Sequence, residues 1–88
     1  MIRVKTADLM WSRVGEEVVV LDRRTDMYLG VNPTGAALWD LLVEGCTREQ
    51  LVERVADRWG IPADGAARDV DDFLAGLRSE DLLEEADD

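Results

Sequence analysis

The stretch MYLGVNPTGAALWDLLVEG, residues 27–45, changes its period part-way along. Its first five residues, Met27 to Val31, alternate as a short strand does. Met27, Leu29 and Val31 fall on one face, Tyr28 and Gly30 on the other. Asn32-Pro33 then supplies an N-cap followed by proline at the first helical position. From there Leu38, Leu41 and Leu42 recur at helical spacing until Gly45 stops the run. A strand therefore feeds directly into a helix, and the chain on either side extends the two halves.

Upstream, Glu17-Val18-Val19-Val20-Leu21-Asp22 is rich in β-branched residues and reads as the clearest strand. Arg23-Arg24-Thr25-Asp26 is a polar turn that lets it form a hairpin with residues 27–31. Leu9 to Val14 reads as a further strand, closed by Gly15. Downstream, Thr47-Arg48-Glu49-Gln50 is a capping box. It opens a helix in which Leu51, Val52, Val55, Ala56 and Trp59 share a face, ended by Gly60. Pro62 or Asp64 opens a third helix with the stripe Val70, Phe73, Leu74 and Leu77. Leu82 and Leu83 fold back to close the core, and Glu84 to Asp88 is expected to be frayed and solvated. The expected fold is α+β, a three-stranded antiparallel sheet followed by three helices. Residues 1–84 form one domain and residues 85–88 an acidic tail. Trp39 and Trp59 are expected in the core, and Trp11 fits either core or surface.

Composition removes several function classes. At 88 residues the chain has room for one core and little else. It has no histidine, so the commonest general base and metal ligand is missing. Cys46 is the one cysteine, which excludes an internal disulfide; without a histidine partner it reads as a small packing residue before the Thr47 cap. Asp69, Asp71 and Asp72 lack the glycine-punctuated loop of a calcium site and read as a solvated helix face. No phosphate-binding glycine motif is present, so no cofactor and no metal are expected.

Ten basic residues stand against twenty acidic ones, a net charge of −10. Residues 1–44 carry −2 of it (5 basic, 7 acidic) and residues 45–88 carry −8 (5 basic, 13 acidic). Such a surface repels phosphate backbones and suits basic partners. No apolar signal core and no membrane-length apolar run occurs. The expectation is a cytoplasmic protein without membrane or nucleic-acid partners.

Several pieces in order carry a resemblance. They are Val20-Leu21-Asp22, Tyr28-Leu29, Asn32-x-Thr34-Gly35-Ala36, Leu38-Trp39-x-Leu41-Leu42, Gly45-x-Thr47, Asp69-Val70-x-x-Phe73-Leu74-x-x-Leu77 and Leu82-Leu83. Together they resemble the PqqD-like family of peptide-recognition domains, the RiPP recognition elements, over roughly residues 16–84. One departure is Asp81, where the family often has glycine before the Leu-Leu pair; aspartate tolerates a left-handed turn better than most residues.

The resemblance implies a winged-helix-like fold and a non-catalytic role. A precursor's leader peptide would add as a strand to the edge of the third strand, in a groove with the third helix. Stand-alone members of this length resemble one half of a split protein whose other half is a cysteine leader peptidase, in lasso-peptide biosynthesis. A peptide chaperone for pyrroloquinoline-quinone assembly is the alternative within the family. A winged-helix nucleic-acid binder is the alternative from another class. The second helix argues against the last, because Arg48, Arg54 and Arg58 are cancelled by Glu49, Glu53 and Asp57.

The peptide-binding residues expected on this basis are Met27, Tyr28, Leu29, Gly30 and Val31 from the strand, with Asp69, Val70, Asp72, Phe73, Gly76 and Leu77 from the helix. On a helical wheel Asp69, Phe73, Gly76 and Glu80 line one flank of the apolar stripe. Glycine inside a helix costs about 1 kcal/mol relative to alanine. Gly76 therefore marks either tight packing on the sheet or the close approach of a ligand. Asp69 and Asp72 are placed to pair with basic leader side chains.

Overall fold

The computed structural model describes residues 1–85. The elements in chain order are β1 (Ile2–Val4), a 3-10 turn (Thr6–Asp8), β2 (Leu9–Val14), β3 (Glu17–Asp22) and β4 (Met27–Val31). Helices α1 (Pro33–Glu44), α2 (Arg48–Trp59) and α3 (Ala63–Ser79) follow, and then β5 (Leu83–Glu85). Strands β2, β3 and β4 form an antiparallel meander in that order. Gly15 at φ 64° begins the two-residue β2–β3 turn, the position where such turns call for glycine. The β3–β4 turn is held by Asp22, whose carboxylate accepts from the Arg24 backbone N–H at 3.0 Å and from the Arg24 guanidinium.

Helices α1 and α2 start and stop where the sequence predicts, and α3 starts there. The Asn32 side chain accepts from the Gly35 N–H at 2.9 Å. Thr47 and Gln50 close a reciprocal capping box, and Gly60 ends α2 in the left-handed conformation. Helix α3 begins after Pro62, which gives no side-chain cap.

The core lies between one face of the sheet and the three helices. Val18, Val20, Leu38, Leu42, Leu51 and Val70 are wholly enclosed there, with Trp39 the largest buried side chain. Cys46 is buried among them, and enclosure raises its thiol pKa. Leu82 is buried, which closes the core as expected.

Two expectations change. Glu84 and Glu85, read as frayed, belong to β5, which pairs with β1 at Ile2↔Glu85, Arg3↔Glu84 and Val4↔Leu83. Arg78 clamps Glu85 through two hydrogen bonds, at 2.6 and 3.1 Å. The remaining tail residues, 86–88, lie outside the described ones. Trp59, expected in the core, is 39 % exposed. It occupies the last turn of α2, and the Arg58 guanidinium lies 5.3 Å from its ring. Met27 shares a face with Leu29 and Val31 by register but is exposed, because it stands at the hairpin end of β4. Trp11 packs edge-on against Trp39, with ring centroids 5.9 Å apart.

Candidate peptide-binding groove

Among the described residues β4 is an edge strand, so alternate residues turn their N–H and C=O groups away from β3 with no strand to receive them. Beside this edge runs a groove of about 570 Å3. Leu29, Gly30 and Val31 form one wall. Asp69, Asp72, Phe73, Gly76, Leu77 and Ser79 of α3, with Glu80 just past its end, form the other, and Asn32 and Thr34 complete the lining. From Asp69 to Glu80 it follows α3 for roughly 16 Å at 1.5 Å per residue.

The groove exists because α3 packs on α2 rather than on β4. Its apolar stripe, Ala66, Val70, Leu74 and Leu77, is buried and leaves the adjoining flank facing the sheet edge. Phe73, half-buried, is the bridge between the walls. Its ring occupies the space where a Cβ on Gly35 would stand, with Val31 Cγ1 at the same point. Gly35 is therefore the residue that lets α1, Phe73 and β4 meet. Gly76 is different: a Cβ built there meets nothing within 4 Å. Tight packing does not explain this glycine, and it leaves that part of the groove wall unfilled.

Of the expected binding residues, Leu29, Gly30, Val31, Asp69, Asp72, Phe73, Gly76 and Leu77 are brought together here. Met27 and Tyr28 line an adjoining concavity with Arg24, Leu29, Glu80 and Asp81, which continues the same edge toward the hairpin. Val70 has no exposed surface; it lies in the core and seats α3. Asn32, Thr34 and Ser79 were not singled out as groove residues. Asn32 was legible only as a cap, and Thr34 and Ser79 gave no signal of their own.

Charge is unevenly placed around the groove. Asp69, Asp72 and Glu80 are exposed along it, and among the described residues no lysine or arginine lines it. Asp71 instead meets Arg48 in a two-pronged pair at 2.8 and 2.9 Å. That hydrogen-bonded guanidinium lowers the Asp71 pKa. Among the described residues no group of three His, Cys, Asp or Glu side chains could hold a metal ion. At the far end Asp81 adopts φ 57°, the left-handed turn its position called for. Its carboxylate accepts from Lys5 at 2.8 Å and from Arg24 at 3.2 Å, and those cations lower its pKa. Arg24 also donates to the Asp81 carbonyl, tying the β3–β4 turn to the end of α3.

Residues 17–83 match the family model described as coenzyme PQQ synthesis protein D, PqqD. The chain belongs to the PqqD family. Family members of this kind, the RiPP recognition elements, are non-catalytic peptide-binding proteins. Two solved structures resemble the chain over nearly its whole length. One is TbiB1 in complex with the TbiA(beta) leader peptide, at 29 % identity and a TM-score of 0.84, covering 98 % of this chain and 99 % of that one. The other is lasso peptide synthetase B1 complexed with the leader peptide. At 18 % identity and a TM-score of 0.80, covering 96 % and 98 %, it shares the fold. No curated protein matches the chain. Among the described residues no helix is long and apolar enough to cross a membrane.

Proposed function

We propose that this chain binds the leader segment of a ribosomally made precursor peptide and presents it to a processing enzyme. The leader adds as a strand to the free edge of β4 and lies in the groove against α3. What carries the reading is that open edge, set beside a groove along α3 in a chain that superposes end to end on a protein solved with its leader bound. Backbone hydrogen bonds to β4 supply affinity that is largely blind to sequence, and α3 supplies the selection. The likeness to TbiB1 and to lasso peptide synthetase B1 favours a lasso-peptide pathway; the family resemblance adds a cysteine leader peptidase as the partner, in the cytoplasm. The family description supports a second reading, a peptide chaperone in pyrroloquinoline-quinone assembly, which uses the same groove. The arginines of α2 are engaged by Asp71, by Asp40 with the Ala37 carbonyl, and by Glu16, which leaves them poorly placed for phosphates.

The test is a fluorescence-polarisation titration with the labelled leader of the precursor encoded beside this protein, run with a scrambled leader and a DNA duplex. Saturable binding of the native leader alone is expected. Equal binding of native and scrambled leaders, or binding of the duplex, would overturn the proposal.

A further inference from the structure

The pattern of side chains along α3 specifies what the groove accepts. Asp72, Gly76 and Glu80 recur every four residues, so they stand on one side of the helix about 6 Å apart. Side chains on one face of an extended peptide recur every two residues, about 6.6–6.8 Å apart. A strand lying along α3 therefore brings three successive same-face side chains opposite these three positions, with little drift over the whole span.

The three positions differ in kind. At Gly76 the wall carries no side chain, nothing stands within 4 Å of where a Cβ would be, and Phe73 and Leu77 supply apolar surface beside it. At either end the lining is anionic: Asp72 with Asp69 on one side and Glu80 on the other. Among the described residues none of these three carboxylates has an ion-pair partner, whereas Asp22, Asp40, Asp71, Asp81 and Glu85 each have one. Gly76 also weakens the helix it sits in.

Resting on the strand-addition reading above, we infer that the groove selects a segment of the form basic–x–bulky apolar–x–basic. The central side chain sits over Gly76, and the two cationic side chains face Asp72 with Asp69 and Glu80. Gly76 is then the residue that sets specificity by size. The flanking charges refine it, each contributing no more than about fivefold at such exposed sites.

The experiment is a display library of random twelve-residue peptides panned against the wild-type protein and against Gly76→Leu. The variant should melt at a higher temperature than wild type, since leucine is a better helix former, so any change in binding is not unfolding. Wild type should enrich Leu, Phe, Tyr or Trp flanked two residues away on both sides by Lys or Arg. Gly76→Leu should enrich Gly, Ala or Ser at the centre with the flanks retained. Wild-type peptides trimmed to alanine at the centre should bind the variant better than their parents do. The same central residue enriched by both proteins, or flanks without basic residues, would overturn this inference and leave strand addition standing. Undiminished binding by an enriched peptide N-methylated at alternate backbone amides would overturn strand addition itself.

Discussion

Gly35 offers the sharpest test of how the groove is built. Replacing it with alanine places a methyl group where the Phe73 ring and Val31 Cγ1 already stand. Val31 is β-branched, stiff and 3 % exposed, so it yields little. The half-buried Phe73 ring must move, and the groove is where it has room. Overpacking of this kind costs about 1–3 kcal/mol. Alanine's better helix propensity returns about 0.8–1 kcal/mol. The net loss is on the order of 0–2 kcal/mol, which in a domain of this size lowers Tm by up to roughly 15 °C. Thermal melts by circular dichroism measure it. The decisive form is a double-mutant cycle: in a Phe73→Leu background the ring's share of the clash is gone while that of Val31 remains, so Gly35→Ala should cost less than in wild type, a coupling of about 0.5–3 kcal/mol. An equal cost of Gly35→Ala in both backgrounds would refute the contact and with it the account of the groove wall.

Three further outcomes follow from burial and charge. Trp39→Ala should cost about 3–5 kcal/mol in urea unfolding and Trp59→Ala no more than about 1 kcal/mol; equal costs would contradict the placement of Trp59 on the surface. Iodoacetamide should modify Cys46 only as fast as the domain unfolds, because the thiol is enclosed and its pKa raised; rapid labelling under native conditions would contradict this. Asp81 is held below its usual value of 3.8 by Lys5 and then Arg24, and Asp22 by Arg24. A depressed carboxyl contributes stability above its unfolded value and loses it as pH falls through its folded value, so Tm should drop below about pH 4. Asp81→Asn keeps a residue that tolerates the left-handed turn and removes the ion pairs. Its acid slope should be shallower, and an unchanged slope would show that the pairs contribute nothing.

The parts of the fold written in local patterns were legible from the sequence. Strands Leu9–Val14, Glu17–Asp22 and Met27–Val31 follow from alternation and turn residues, and the caps at Asn32, Thr47 and Gly60 from their side-chain chemistry. The left-handed Asp81 was legible because few residue types tolerate that conformation. What the sequence concealed depends on distant partners. Strand β1 is only three residues long and acquires its role by pairing with residues near the other end of the chain. Glu84 and Glu85 look like a solvated acidic tail until Arg78 and β1 are placed beside them. Trp59 fits the apolar face of α2, and only the end of the helix at Gly60 leaves it outside.

The groove was legible to a similar degree. Gly76 and Asp69 stood out by their position on the α3 wheel. Met27 and Tyr28 were reasonable by register but stand where the edge runs past the end of α3. Val70 lies on the stripe that anchors the helix, one step round from the flank that faces the sheet edge. Gly35 looked like one more glycine in a helix start, since its partner Phe73 lies 38 positions further on. Nothing local announces that contact.

The central claim is that β4 takes a leader peptide as a new strand alongside α3. Intermolecular NOEs in the complex of the isotopically labelled protein with the leader encoded beside it test this most directly. The account predicts backbone NOEs from the peptide to alternate residues of β4, with shifts concentrated at Asp69, Phe73 and Gly76. NOEs to the opposite sheet edge at β2, with Asp69, Phe73 and Gly76 unperturbed, would contradict it.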